Sequence, residues 1–134
     1  MNLILDTNVL VSGIFFSGPP FRILHAWRDG VINLVSSPEI LDEYARVLEE
    51  LGSKYPEISI PPIVDFLTLH TQIYIAPPLP AAVCADPDDD MFFACAIASN
   101  TKLIVSGDKH LLACDGHEGV GVLKPGPFVE RYLS

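Results

Sequence analysis

The sequence predicts an α/β fold, a three-layer α/β/α sandwich built on a central, mostly parallel sheet. Three observations predict it. Short apolar runs such as residues 2–5 (NLIL) and 103–106 (LIVS) have the pattern of strands covered on both faces. Between such runs lie segments whose apolar residues recur at helical spacing. The two kinds of segment alternate along the chain, as parallel strands joined by crossovers require.

Taken in order, the first apolar run is a strand ending at Asp6, and TNVLVSGIFF after it turns into a helix that Gly18, Pro19 and Pro20 break. Phe21, Leu24 and Trp27, with Arg22 and Arg28 between them, mark an amphipathic helix stopped by Gly30. Residues 31–35 (VINLV) form a second strand. The clearest helix spans 38–51, with Ser37 as N-cap, Pro38 at the first helical position and Glu39 in the first turn. Its apolar stripe is Ile40, Tyr44, Val47, Leu48 and Leu51, and Gly52 ends it. Residues 53–62 read as a loop, 63–70 as a short helix, 73–75 as a short strand, and 77–83 as irregular because three prolines interrupt them. ADPDDDMFFACAIASN opens on acids and continues as an Ala-rich packed helix, so its carboxylates lie at the positive N-terminal end. LIVS is a buried strand, GDKHLL turns into a helical stub, 120–123 is a last strand, and FVERYL is a C-terminal helix.

With 134 residues, 49% of them hydrophobic, the chain fits one domain over residues 1–134 and excludes disorder. No apolar run approaches the roughly 20 residues of a membrane span, and the start lacks the basic region of a secretory signal. Cys84, Cys95 and Cys114 are odd in number and widely spaced, which implies free thiols. A cytoplasmic protein without membrane contact is expected. The net charge of −9 argues against nucleic acid as a partner, since phosphate binding ordinarily shows as a basic patch. A carboxylate cluster that binds cations answers part of that objection, because the ions reverse the local sign.

In open parallel sheets ligands bind beyond the carboxyl ends of the strands. Asp6 follows the first strand there, Asp108 follows LIVS by two residues, and Asp90 belongs to the acidic helix start. Glu43 lies beside the apolar stripe of its helix, although Glu39 and Glu50 share that flank. Each acid alone also has an ordinary reading. Asp6, Asp108 and one of Asp86 and Asp88 stand where helix caps do, and Glu43 could be a surface residue. Their convergence from four segments on one end of one sheet favours a site. Crowded carboxylates repel, and oxygen-only ligands suit Mg²⁺ or Mn²⁺ better than zinc.

LDTNVL, SPEILDEYARVL, DPDDDMFFACAIA and IVSGDKHLL, in that order, resemble the PIN-domain ribonucleases, most of all the small prokaryotic members that serve as type II toxin–antitoxin toxins. The resemblance runs from residue 3 to about residue 112. It implies an acidic quartet at Asp6, Glu43, Asp90 and Asp108, with Thr7, Asn8 and Ser106 in support; Ser106 stands where many relatives have Thr and keeps the hydroxyl. Asp86 and Asp89 are further acids beside the quartet, and the sequence leaves open which of Asp88, Asp89 and Asp90 points inward.

The implied activity is metal-assisted hydrolysis of single-stranded RNA, leaving a 5′-phosphate and a 3′-hydroxyl, with one or two Mg²⁺ or Mn²⁺ ions as cofactor. Asp6, Asp90 and Asp108 are expected to hold metal, Glu43 to orient water or complete a second ion site, and Asn8 and Ser106 to fix the carboxylates. Setting aside the quartet still leaves a charge of −5, so affinity for RNA should be weak and salt-sensitive. Arg22, Arg28, Arg46, Lys102 and Lys109 are the candidates to line a groove near the site. The resemblance also implies an antitoxin protein as partner and a homodimer, and Phe15-Phe16 beside a Gly-Pro-Pro turn suggests an exposed apolar patch.

Other chemistries find less support. His25 and His70 fall in amphipathic helices, His110 borders the site as a bystander, and Cys114 with His117 lacks the further ligands of a zinc site. No Gly-rich phosphate loop and no serine–histidine pair is apparent. A phosphohydrolase using Asp6 as nucleophile would want a second Asp where Asn8 stands. A non-catalytic module binding RNA or protein through the same surface is the other alternative.

Overall fold

The computed structural model describes residues 1–133. Five strands form one sheet: β1 (Asn2–Leu5), β2 (Asn33–Ser36), β3 (Gln72–Ile73), β4 (Leu103–Val105) and β5 (Gly121–Leu123). All neighbours are parallel and the spatial order is β3-β2-β1-β4-β5. Seven helices accompany them: α1 (Thr7–Phe15), α2 (Pro19–Arg28), α3 (Pro38–Gly52), α4 (Ile60–His70), α5 (Asp90–Ser99), α6 (Lys109–Leu112) and α7 (Pro125–Tyr132). The three-layer α/β/α sandwich is as the alternation of patterns requires.

The central strand shows why so short a run suffices. Leu3, Ile4 and Leu5 of β1 are buried, and so are their neighbours Leu34, Ile104 and Val105 on β2 and β4. A parallel strand covered on both faces has no room for polar residues, so the run is continuous rather than alternating. Register pairs Ile4 with Ile104 and Leu5 with Val105. Because β2 and β3 lie on one side of β1 while β4 and β5 lie on the other, the strand order reverses between β1 and β4. In open α/β sheets that reversal leaves a crevice at the carboxyl ends of the two strands.

Helix α3 begins as its residues dictate. The Ser37 hydroxyl accepts from the Ile40 amide at 3.3 Å, and Ile40, Tyr44 and Leu48 turn inward. Removing that cap with Ser37→Ala should cost about 1 kcal/mol, read as a lower urea midpoint with an unchanged slope. The Tyr44 hydroxyl, fully buried, donates to the Leu5 carbonyl and ties α3 to the carboxyl end of β1. Phe92 and Phe93 on α5 fill the core, and α5 closes on Asn100 in the left-handed region (φ 55°), where asparagine is tolerated.

Four expectations are corrected in detail. Pro19 and Pro20 open α2 instead of separating it from α1, and Pro61 and Pro62 lie in the first turn of α4, which therefore starts at Ile60 rather than 63. First-turn prolines lose nothing, since their missing N–H groups would have had no helical partner. The second strand is Asn33–Ser36, because Val31 is 61% exposed and its amide closes the end of α2 by donating to Ala26. The segment 87–89 forms a separate 3₁₀ turn before α5. Among the described residues, no single helix is long and apolar enough to cross a membrane.

Candidate active site

The crevice between β1 and β4 is where the acids gather. Asp6 directly follows β1, and its amide donates to the Val105 carbonyl at 3.0 Å, so the first residue past β1 is pinned to the end of β4. Its side chain does not cap α1. The Ser106 hydroxyl instead donates to Asp6 Oδ2 at 2.7 Å and itself accepts from the Asp108 amide at 3.0 Å. Ser106 is completely buried and joins Asp6, a hundred residues before it, to the backbone of Asp108. Burial raises the Asp6 carboxyl above its ordinary range; the Ser106 hydrogen bond opposes that, and the nearby Asp108 and Glu43 reinforce it.

Asp108 does cap its helix: Oδ1 accepts from the His110 amide at 2.9 Å. The ordinary reading as a helix cap therefore holds for this residue, and that cap engages one oxygen, Oδ1, which orients the carboxylate. Glu43 reaches the site through Thr7, whose buried hydroxyl donates to Glu43 Oε2. Arg46 lies 3.6 Å from Glu43 Oε1 and 3.5 Å from Glu50, on the solvent side of the same helix.

The acidic run 86–90 divides its labour. Asp86 accepts from the Asp88 amide at 3.0 Å and caps the 3₁₀ turn. Asp89 projects toward the cluster: burial first, then the charges of Asp108, Asp6 and Asp86, push its carboxyl up to about 7. Its Oδ2 is buried and has no hydrogen-bond partner. Asp90, expected among the metal ligands, is turned away. Its two oxygens accept from the Cys84 amide at 2.7 Å and the Val83 amide at 3.2 Å. Burial works against ionisation there, but those two amides hold the carboxyl below its usual range. The cause is the loop before the acids, whose free N–H groups need an anion and find the first residue of α5.

Asn8 is exposed and makes no hydrogen bond to the carboxylates among the described residues. It lines, with Gly107, Asp108 and Pro125, a cavity of about 370 Å³ beside the cluster. Lys102 is misplaced by the sequence reading. It precedes β4, at the opposite end of the sheet, in a cleft with Asn2, Asp115 and Arg131. Arg28 pairs with Asp29 at 3.2 Å, Arg22 lines a separate cavity with His25 and Asp29, and Arg46 lies 3.6 Å from Glu43 of the cluster. His110, expected to border the site as a bystander, does lie beside two of the acids. Asp89, Asp108 and His110 each offer one ligand atom, and the three atoms lie within 4.8 Å of one another. The signal was its two-residue spacing from Asp108.

The arrangement fits a divalent cation. Two like charges no more than 4.8 Å apart repel by roughly 3 kcal/mol or more at an effective dielectric of 20. The unpartnered Oδ2 of Asp89 adds a buried acceptor with nothing to accept. A proton or a metal ion relieves both. Replacing Ser106 with Ala would unpin Asp6 and Asp108 together, and a 10–100-fold loss of metal affinity or activity is expected, measurable by Mn²⁺ titration.

Among curated protein sequences, none matches the chain significantly. The profile of the PIN domain matches residues 2–110, a span that takes in β1, Glu43, the acidic run and Asp108. With that match over most of its length and an acid cluster at the reversal of its parallel sheet, the chain belongs to the PIN-domain family, a family of nucleases.

Proposed function

We propose that the protein is a Mg²⁺- or Mn²⁺-dependent endoribonuclease that hydrolyses single-stranded RNA at the Asp6–Glu43–Asp89–Asp108 cluster. The observation that carries this reading is the buried, unpartnered Asp89 Oδ2 beside Asp108 and Asp6. Asp6, Asp89 and Asp108 would hold the cation. Ser106 fixes the Asp6 carboxylate through Oδ2, and the His110 amide fixes Asp108 through Oδ1. Thr7 holds the Glu43 carboxylate, which would orient the attacking water. A bound ion supplies a water of lowered pKa and offsets the charge that builds on the phosphoryl oxygens. Asp90 serves the site indirectly by anchoring the Val83–Cys84 loop to the start of α5.

A role as the toxin of a toxin–antitoxin pair, and a homodimeric state, belong to the same proposal. They draw support from the family and from exposed aromatics on neighbouring elements, Phe16, Phe21 and Phe66, which are 54, 41 and 42% accessible. A sedimentation mass of one chain at micromolar concentration would count against the dimer.

Purified protein should cut an end-labelled single-stranded RNA with Mn²⁺ or Mg²⁺ and not with EDTA, and Asp6→Asn and Asp108→Asn should abolish cutting. Cleavage that survives both substitutions would remove the site from consideration. A folded protein that binds Mn²⁺ but cuts no RNA would favour a binding module.

A further inference from the structure

The acids alone would make an oxygen-only site, the kind that takes Mg²⁺ readily. We propose that the His110 imidazole is also a ligand of the ion, making the centre a mixed nitrogen–oxygen one that favours Mn²⁺ over Mg²⁺. The inference rests on the metal-site reading above and extends it to a residue outside the carboxylate set.

Geometry carries it. A nitrogen of His110 lies within 4.8 Å of carboxylate oxygens of both Asp89 and Asp108. Ligands around one small divalent ion sit at about 2.1 Å from it, hence up to about 4.2 Å apart, so a small side-chain rotation closes the set. The ring is not committed elsewhere. Its Nδ1 is 3.7 Å from Asp108 Oδ1, too long for a hydrogen bond, and no ring contact engages it among the described residues. The backbone, in contrast, is fixed. The His110 amide donates to Asp108 Oδ1 at 2.9 Å, and its carbonyl accepts from Cys114 Sγ at 3.4 Å. Position is thus set by the fold while the imidazole is free to turn. His25, His70 and His117 differ: each packs its ring against a phenylalanine, with centroids 4.1 to 5.8 Å apart.

The chemistry gives the direction of the effect. Imidazole nitrogen raises affinity for first-row transition ions, which Mg²⁺ does not share because it prefers oxygen and keeps its waters. Losing His110 should therefore weaken Mn²⁺ much more than Mg²⁺.

The test uses the full chain, with no histidine tag, and its His110→Gln and His110→Ala variants, with folding checked by circular dichroism. Calorimetric titration with Mn²⁺ and with Mg²⁺ gives affinities, and pulsed electron paramagnetic resonance of the Mn²⁺ complex reports directly bound nitrogen. Wild-type protein should show nitrogen modulation that both variants lose. Mn²⁺ affinity should fall about tenfold or more while Mg²⁺ affinity changes less than about threefold, the size of effect expected for one imidazole ligand. Mn²⁺ binding without nitrogen modulation, or modulation retained in both variants, overturns the ligand assignment alone. Failure of wild-type protein to bind either ion overturns the metal-site reading and this inference with it.

Discussion

Asp89→Asn and Asp90→Asn, one residue apart, should behave in opposite ways. Asp89→Asn removes the carboxylate whose Oδ2 has no partner, and RNA cleavage should fall by roughly 10²–10³-fold, the loss typical when one group that stabilises developing charge is deleted. Metal-free protein should at the same time become more stable at pH 8, by on the order of 1–2 kcal/mol, because a poorly compensated charge is gone. Asp90→Asn should leave the rate per folded molecule within about threefold, since its oxygens are engaged by two backbone amides. It should cost about 1.5–3 kcal/mol, because an amide oxygen replaces a charged acceptor of both bonds. Thermal unfolding in EDTA and cleavage assays on the same preparations separate the two. Loss of activity in a folded Asp90→Asn protein, with Asp89→Asn active, would reverse the assignment.

The second large effect is the linkage between protons and metal. The Asp89 carboxyl titrates at about 7 in the folded protein against an ordinary 3.8, with burial as the leading cause. The folded state therefore binds the extra proton between about pH 4 and pH 7, and metal-free protein should gain stability as pH falls through that window. Asp6, raised for the same leading reason, acts in the same direction. Asp90, held low, works the opposite way only as pH drops below its ordinary value. A cation must displace the Asp89 proton, so binding weakens below pH 7. At pH 8 and a Mn²⁺ concentration a hundred times its dissociation constant, stabilisation of about 2.7 kcal/mol is expected, or a rise of about 8–10 °C in Tm. At pH 5.5 the same concentration should give a much smaller rise. Scans at the two pH values, with Mn²⁺ and with EDTA, check it. Equal rises at both would show that Asp89 does not compete with the ion.

Much of this was legible in the residues. A strand buried on both faces leaves an unbroken apolar run, so β1 and β4 were found with nearly correct limits, and the Ser37-Pro38 start of α3 is a local signal. Proline misled because the same residue ends one helix and opens the next, and the pattern in Gly18-Pro19-Pro20 does not say which. The strand at 33–36 was displaced because Val31 looks like a core residue and is 61% exposed.

The site divides along the same line. Asp6 and Asp108 follow strands, so topology alone places them, and Thr7 and Ser106 come with them. The orientations within 88–90 depend on which amides the preceding loop leaves free, a long-range fact invisible to helical spacing. The sequence reading favoured Asp90, whereas the structure directs Asp89 to the other acids. The spacing of His110 from Asp108 places it at the border of the site, whereas its relation to Asp89 is spatial and not legible in the sequence.

The bond from Ser106 to Asp6 spans a hundred residues, and β1, first to be made, lies between strands made later. At about 5–20 residues per second, a ribosome takes roughly 5–20 s to add the segment that separates the two. Throughout that interval Asp6 has neither its hydroxyl donor nor the Asp108 carboxylate, and β1 has no β4 to lie against. A nascent chain therefore has no complete acid cluster until residue 108 has emerged.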